Sequence, residues 1–282
     1  MLLIGSTSIL GYHMVKLASE QIVPVCHVKS DAWAAGSVQV DMDDPLALAE
    51  VASKYPGQTV VYAHAVCNVN KCERNPNWAH QVNVENLRQF LEQLPQGVRL
   101  VYLSSDHVFG DGGDCDETTL PKPISVYGQT RVAAETLVLQ RANSLVIRSS
   151  LALGDSHNGR SGHWNWLNFR LKRGLPVTLI TDEARTTVWA PEAAWRIMEL
   201  THSSATGMVH LANNLYCYRD ALAKQLCEIA GLEPRLKWDQ RVNQSYPHLG
   251  QVRLISNRKE GQLTINPLEQ IRLHVESGTQ IV

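Results

Sequence analysis

The N-terminal stretch constrains the fold more than any other. Met1–Ile4 is a short apolar run that stops at Gly5, and the segment Gly5, Ser6, Thr7, Ser8, Ile9, Leu10, Gly11 separates it from a helical stretch, Tyr12–Ser19. Strand, glycine turn and helix in that order aim backbone N–H groups and a helix N-terminus at one point, which is how dinucleotide pyrophosphates are held. Two glycines six residues apart say little alone; their place directly after the first strand supplies the required context. Ser8 stands where a glycine would let a pyrophosphate approach the backbone most closely.

The pattern then repeats. Ile22–Val28 reads as a second strand, and His27 and Lys29 at its end suit a 2′-phosphate, which tilts the expected cofactor towards NADP; Asp31 lies close by. Ser37–Val40 runs into Asp41, Met42, Asp43, Asp44 and Pro45, where Pro45 suits the first turn of a helix through Tyr55. Thr59–Ala63 is a fourth strand. A helix from about Asn77 carries Leu87, Phe90, Leu91 and Leu94 at i, i+3, i+4 and i+7, and Pro95 and Gly97 close it. Such alternation predicts an α/β fold, a doubly wound parallel sheet with ligands at the carboxyl ends of its strands. Gly5–Gly11, Ala63–Ala65 and Ser104–Asp106 all fall at such ends.

Leu100–Arg131 carries the candidate chemistry. An apolar strand ends at Ser104 and Ser105, and beyond a glycine-rich loop Tyr127 and Arg131 stand at i and i+4, on one face of a helix starting there. The guanidinium would lower the tyrosine pKa while Ser105 holds a substrate oxygen, the machinery for reducing or oxidising a carbonyl. The competing reading is a plain helix start with a buried tyrosine and an Arg131–Glu135 surface pair.

Past a sixth strand at Ser144–Ile147 the pattern loosens. Gly154–Gly162 reads as a loop and Trp164–Arg173 as a helix. Trp164 and Trp166 would form one wall of a substrate pocket, packing being the competing use of at least one of them. Arg185, in a polar cluster ahead of a helix near Pro191, would hold a substrate anion or pair with a neighbouring carboxylate at the surface. Met208–Leu211 would rejoin the sheet and Tyr218–Ala230 is helical. We expect a dinucleotide-binding unit over 1–150, with a returning segment near 200–215, and a smaller substrate lobe over most of 151–282.

A net charge of −1 over 282 residues gives no electrostatic footprint for nucleic acid or an anionic membrane, so the expected partner is a small molecule. With no long apolar run or leader-like start, a cytoplasmic location is expected. The six cysteines form no CxxC pair and the eleven histidines no HExxH spacing, so no metal site is predicted.

Taken together, Gly5–Gly11, Val40–Pro45, Asn68–Glu73, Val82–Asn83, Leu103–Gly110 (LSSDHVFG), Val126–Arg131 (VYGQTR), Asp182–Trp189 (DEARTTVW) and Gly207–Asn213 (GMVHLAN) span nearly the whole chain. In these motifs the chain resembles the extended short-chain dehydrogenase/reductase superfamily, in its dTDP-4-dehydrorhamnose reductase-like branch. The resemblance implies a Rossmann-type domain binding NADP, or NAD, and a C-terminal lobe for a nucleotide-sugar. It implies cofactor contacts from Gly5, Ser8, Ile9, Leu10 and Gly11, from His27, Lys29, Asp41 and Met42, and from Ala63, His64 and Ala65. Tyr127 would be the proton donor of keto reduction, Ser105 would polarise the carbonyl, and His107, Trp164, Trp166 and Arg185 would face substrate. A homodimer is common among similar proteins.

The departures define the alternatives. Arg131 occupies the family's lysine position but gives up no proton, His64 replaces a small residue, and His107 replaces a tyrosine. Besides a reductase, these permit a non-catalytic nucleotide or nucleotide-sugar binding regulator, as the regulatory subunit of methionine adenosyltransferase resembles this branch. They also permit a non-redox lyase or hydrolase using His64 or His107 as base near neutral pH.

Overall fold

The structure, a computed structural model, describes residues 1–30, 32–233 and 236–279; Asp31 lies outside them. The first half alternates: β1 (Leu2–Ile4), α1 (Ile9–Ala18), β2 (Val23–His27), β3 (Val38–Val40), α2 (Pro45–Ser53), β4 (Val60–Tyr62), α3 (Val69–Arg74), α4 (Pro76–His80), α5 (Asn86–Gln93), β5 (Leu100–Ser105), β6 (Gly113–Cys115), α6 (Val126–Leu139) and β7 (Ser144–Ser149). The second half holds β8 (Leu151–Leu153), α7 (His163–Leu171), β9 (Val177–Ile180), β10 (Ala184–Trp189), α8 (Ala190–His202), β11 (Gly207–Leu211), β12 (Tyr216–Tyr218), α9 (Arg219–Ala230), β13 (Leu236–Asp239), β14 (Gln251–Leu254) and α10 (Pro267–Ser277).

Seven strands form one parallel sheet in the order β11-β7-β5-β4-β1-β2-β3. Its strands are apolar on both faces because each face is covered, and the period of two sorts their side chains. Leu2, Ile4, Tyr62 and Tyr102 join Leu48, Leu87, Phe90 and Ala134 of α2, α5 and α6 on one face. Leu3, Val61, Val101 and Leu103 join Met14 of α1 and Ala193 and Ile197 of α8 on the other. The strand order reverses between β1 and β4, which opens a crevice at the carboxyl edge. A second sheet, β12-β10-β14-β6 with β8 also on β10, makes the other lobe, and α7, α9 and α10 bury its core around Trp164, Leu179 and Leu226.

Several elements depart from the sequence expectations for local reasons. α1 starts at Ile9 rather than Tyr12, because the Ser8 hydroxyl accepts the Gly11 N–H at 3.1 Å and caps the helix. α2 ends at Ser53, short of Tyr55. The helix expected from Asn77 begins at Pro76 and continues into α5 through a π turn at Gln81–Glu85 that periodicity does not register. The polar cluster Asp182–Thr187 largely becomes β10, every residue of which is buried. β11 pairs in parallel with β7 at the sheet edge. No helix among the described residues is long and apolar enough to cross a membrane.

A buried ionic cluster ties α6 to the sheet. Glu135 accepts both Arg148 Nε at 2.9 Å and Nη2 at 2.6 Å, and also the Ser104 hydroxyl at 2.5 Å, while Arg148 Nη1 lies 3.3 Å from His210 Nε2. Removing one partner strands a charge away from water. Arg148→Leu is expected to lower the unfolding free energy by about 3–5 kcal/mol in urea titrations. The double variant Glu135→Leu/Arg148→Leu should recover part of that loss.

Candidate active site

The glycine turn is laced onto the sheet. The Gly5 and Ser6 N–H groups both donate to Val25 O at 3.0 Å. Gly5 has φ +95°, and a Cβ there would lie 2.8 Å from the backbone of Ala63 and His64, while one on Gly11 would lie 2.6 Å from Gly5 O. No larger residue fits this cradle. Ser8 is extended (φ −65°, ψ 158°), so a serine meets no strain there. Its hydroxyl serves Gly11, and the first-turn N–H groups of Ile9 and Leu10 have no intrahelical acceptor. Ser8, Ile9 and Leu10 open a cleft of about 310 Å³ that runs past Ala63, Ala65 and Cys67 to Ser105, Tyr127 and Arg131 and ends at Ser150, His163 and Arg185.

Tyr127 and Arg131 reach the cleft from the start of α6, which Ser125 caps by accepting the Gly128 N–H at 3.0 Å. Gly128 is required there, since a Cβ would lie 2.3 Å from His107 O. Asn83 in the π turn accepts the Val66 N–H at 2.8 Å and donates to Val66 O at 3.0 Å and Thr130 Oγ1 at 2.9 Å. Thr130 in turn donates to Tyr127 O at 2.8 Å. Glu73 accepts the Val126 N–H at 2.7 Å. These bonds hold the tyrosine over the strand ends.

Arg131 and Glu135 form no surface pair. Both are buried; Glu135 belongs to Arg148, and Arg131 donates to Leu103 O and lies over the rings of Tyr102 at 4.7 Å and Tyr127 at 5.8 Å. Its Nε and Nη1 are buried with no hydrogen-bond partner. Nor does the arginine lower the tyrosine below its ordinary range: burial pushes Tyr127 up to about 12 against the guanidinium's pull, so the phenol keeps its proton at neutral pH.

Ser105 donates to Asp106 Oδ1 at 3.0 Å. Asp106 has no exposed surface and takes the Arg185 fork, Nε to Oδ2 at 2.8 Å and Nη2 to Oδ1 at 2.5 Å, with the Ser150 hydroxyl as a further donor. Burial would raise this carboxyl, yet Arg185 holds it below the usual range. Arg185 is thus neither a free substrate-anion site nor part of an exposed pair; it lines the cleft as a counter-ion. Trp164 is buried in the second-lobe core and lines neither cleft, whereas Trp166 lines a separate cleft of about 280 Å³ together with His163, Arg170, Glu183, Arg219 and His248. His163, common to both clefts, lies with Nδ1 3.1 Å from Arg219 Nη2.

His107 sits edge-on to Tyr127 at 5.1 Å, and burial lowers its pKa to about 4, so it is neutral at pH 7 and too weakly basic for the expected near-neutral titration. His64 Nε2 lies 3.7 Å from Asp43 Oδ1. His27 is engaged by the Lys29 N–H at 3.0 Å and by Asp41 at 3.3 Å rather than standing free for a phosphate; Lys29 is exposed, and Met42 is buried in the sheet core. Sequence reasoning missed Cys67, His163, Glu183 and Arg219. Glu183 lay within the quoted DEARTTVW stretch, and His163 directly precedes the singled-out Trp164, but nothing local marks Arg219.

The chain's features match known proteins. The family model described as RmlD substrate binding domain matches residues 1–249. A probable low-salt glycan biosynthesis reductase, Agl14, of Haloferax volcanii is 26% identical over 239 residues, covering 80% of this chain and 79% of that protein. The dTDP-4-dehydrorhamnose reductase of Shigella flexneri is 32% identical over 116 residues, 39% of this chain and 38% of its own length. A crystal structure of dTDP-4-dehydrorhamnose reductase from Bacillus anthracis in complex with NADP shares the fold at TM-score 0.79 and 17% identity, over 99% of this chain and 98% of that one.

His13 and His107 make the fold acid-sensitive. His13 is buried and, like His107, is lowered from 6.5 to about 4, chiefly by burial. The unfolded chain therefore binds protons that the folded chain refuses. Their contribution is complete above pH 6.5 and is lost as pH falls towards 4, by up to about 3 kcal/mol per group. Denaturant titrations should show stability falling across this window and a shallower fall in His107→Phe; the same slope in both proteins would remove His107 from the effect.

Proposed function

This chain belongs to the RmlD substrate binding domain family, and we propose that within it the protein is an NAD(P)-dependent reductase of a 4-keto nucleotide-sugar or a related carbonyl compound. The single observation that carries this reading is the convergence of Tyr127, Ser105 and Arg131 on the cleft that the glycine turn opens. Relatives include proteins named as reductases of dTDP-4-keto sugars, and one named as a probable glycan biosynthesis reductase.

The cleft fits a dinucleotide. Gly5 and Gly11 make a cradle that a Cβ would fill, and the unpartnered Nε and Nη1 of Arg131 are donors awaiting oxygen acceptors such as ribose hydroxyls. Ile9 and Leu10 would offer N–H groups to the pyrophosphate, with Ala63 and Ala65 leaving room alongside. When bound, the dihydronicotinamide supplies the hydride that reduces the carbonyl carbon. Tyr127 holds a proton at its hydroxyl until the carbonyl oxygen becomes basic, then gives it up to form the alcohol. The Arg131 guanidinium stabilises the phenolate left behind without itself titrating. Ser105, anchored on Asp106, orients the carbonyl oxygen.

Residues 1–150, with the returning strand β11, would carry the dinucleotide and most of 151–282 the sugar nucleotide. Arg219 and His163 in the second cleft are suited to its phosphates. Tyr127→Phe is expected to lower kcat by about 10²- to 10⁴-fold while leaving cofactor affinity nearly unchanged. Unchanged turnover would take Tyr127 out of the mechanism. Cofactor binding without turnover of any keto sugar nucleotide would favour a regulatory role instead.

A further inference from the structure

We propose that the amino edge of the parallel sheet carries a second binding site, for a small neutral molecule of two or three fused rings with one hydrogen-bond donor. The site lies at the end of the sheet away from the crevice and does not depend on the dinucleotide reading.

Two turns of the chain face each other there. α2 stops at Ser53 and the chain turns through 54–58 before β4 begins at Val60, while α5 stops at Gln93 and the chain turns through 94–98 before β5 begins at Leu100. Between them lies a cavity of about 380 Å³ whose apolar lining comes from Ala49 and Ala52 of α2 and from Tyr55, Val60, Leu94 and Val98. Leu48 and Val51 of the same helix fill the core with larger side chains. The alanines, three apart on one helix face, stop at Cβ and leave the space beside them open.

The walls are held in shape by their own bonds. Tyr55 N donates to Ala52 O at 3.1 Å, Gln58 N to Tyr55 O at 3.4 Å and Val98 N to Pro95 O at 3.0 Å. The buried guanidinium of Arg141, just past α6, clamps the second turn by donating to Leu94 O at 3.1 Å and Pro95 O at 2.6 Å. A pocket already fixed in this way costs little to order on binding.

The lining sets the class of ligand. None of its side chains is charged, so an ion would leave water without finding a counter-charge. Gln58, on the wall, keeps Oε1 buried without a hydrogen-bond partner, an acceptor that a ligand O–H or N–H would satisfy. An apolar cavity of roughly 150 Å³ holds one benzene ring, so this one has room for two or three. A partner protein fits less well. A docking face carries its apolar surface beyond a single pocket, yet Ser53 and Gln93 make an exposed polar rim, and among the described residues no large apolar side chain is exposed within 49–60 or 93–98.

The test titrates the full chain with 2-naphthol and with 2-methylnaphthalene, which replaces the hydroxyl by a methyl group of similar size, followed by saturation-transfer NMR and calorimetry. One molecule of 2-naphthol is expected per chain, bound about three- to ten-fold tighter than 2-methylnaphthalene, the margin of one hydrogen bond. Gln58→Met removes the acceptor at similar size and should erase that margin by weakening 2-naphthol alone. Ala52→Leu fills the cavity from a half-buried position and should weaken both probes by about ten-fold or more. Saturating NADPH should displace neither. Binding of neither probe would overturn the site, as would undiminished binding in Ala52→Leu or displacement by NADPH, each of which puts the probes elsewhere. Equal binding of both probes by the unaltered chain, or a margin that survives in Gln58→Met, would overturn the donor requirement assigned to Gln58. A dimer in sedimentation that Ala52→Leu dissociates would give the cavity to a second copy of the chain and overturn the small-molecule assignment.

Discussion

The contact on which the crevice depends is the buried pair Asp106–Arg185. A carboxylate without access to water stays ionised only where a counter-charge and hydrogen bonds replace its hydration. Asp106 closes the carboxyl end of β5 and Arg185 lies on β10, so one bidentate contact joins the parallel sheet to the second lobe. Ser105 and Ser150 complete the shell around the carboxylate, so the Ser105 hydroxyl in the cleft is also part of the lobe junction. The place of Arg185 in the polar cluster beside Asp182 and Glu183 leaves it open to holding a substrate anion or to pairing with a neighbouring carboxylate at the surface. Its actual partner is 79 residues away.

The same economy governs the tyrosine. Its position is set from the far side by Asn83, whose amide bridges the loop after β4 and the first turn of α6. Asn83 is buried and points this way because the π turn adds a residue to the helix. Arg131, between the rings of Tyr102 and Tyr127, keeps two donors unsatisfied in the cleft. Buried donors without partners are costly, so the fold holds this guanidinium at the expense of stability.

The fold was largely legible because it rests on local signals: β-strand runs buried on both faces, a capped helix after a glycine turn, and the 3.6-residue stripe of Leu87, Phe90 and Leu91. The convergence of Ser105, Tyr127 and Arg131 was legible too, since strand ends in a parallel sheet share one edge. What could not be read was pairing across the fold. Whether Glu135 meets Arg131 or Arg148, and whether His27 offers its ring to solvent or to Asp41, depends on which elements become neighbours. The sign of the tyrosine shift escaped for the same reason. The nearby cation was visible in the i, i+4 spacing, but the burial that outweighs it is a property of the assembled crevice. β10 was hidden because its polar residues, Arg185, Thr186 and Thr187, find partners inside the protein.

The π turn at Gln81–Glu85 also limits how this chain can diverge. Upstream of it α4 and α3 pack on α6, and downstream α5 presents Leu87, Phe90 and Leu91 to the sheet. Each residue of an α-helix advances the face by about 100°. A single deletion within this turn would leave either Asn83 out of reach of Val66 or the leucines turned away from the core. Descendants of this sequence can exchange side chains along 76–93, but the length of that segment is effectively frozen, while the surface loops remain free to grow and shrink.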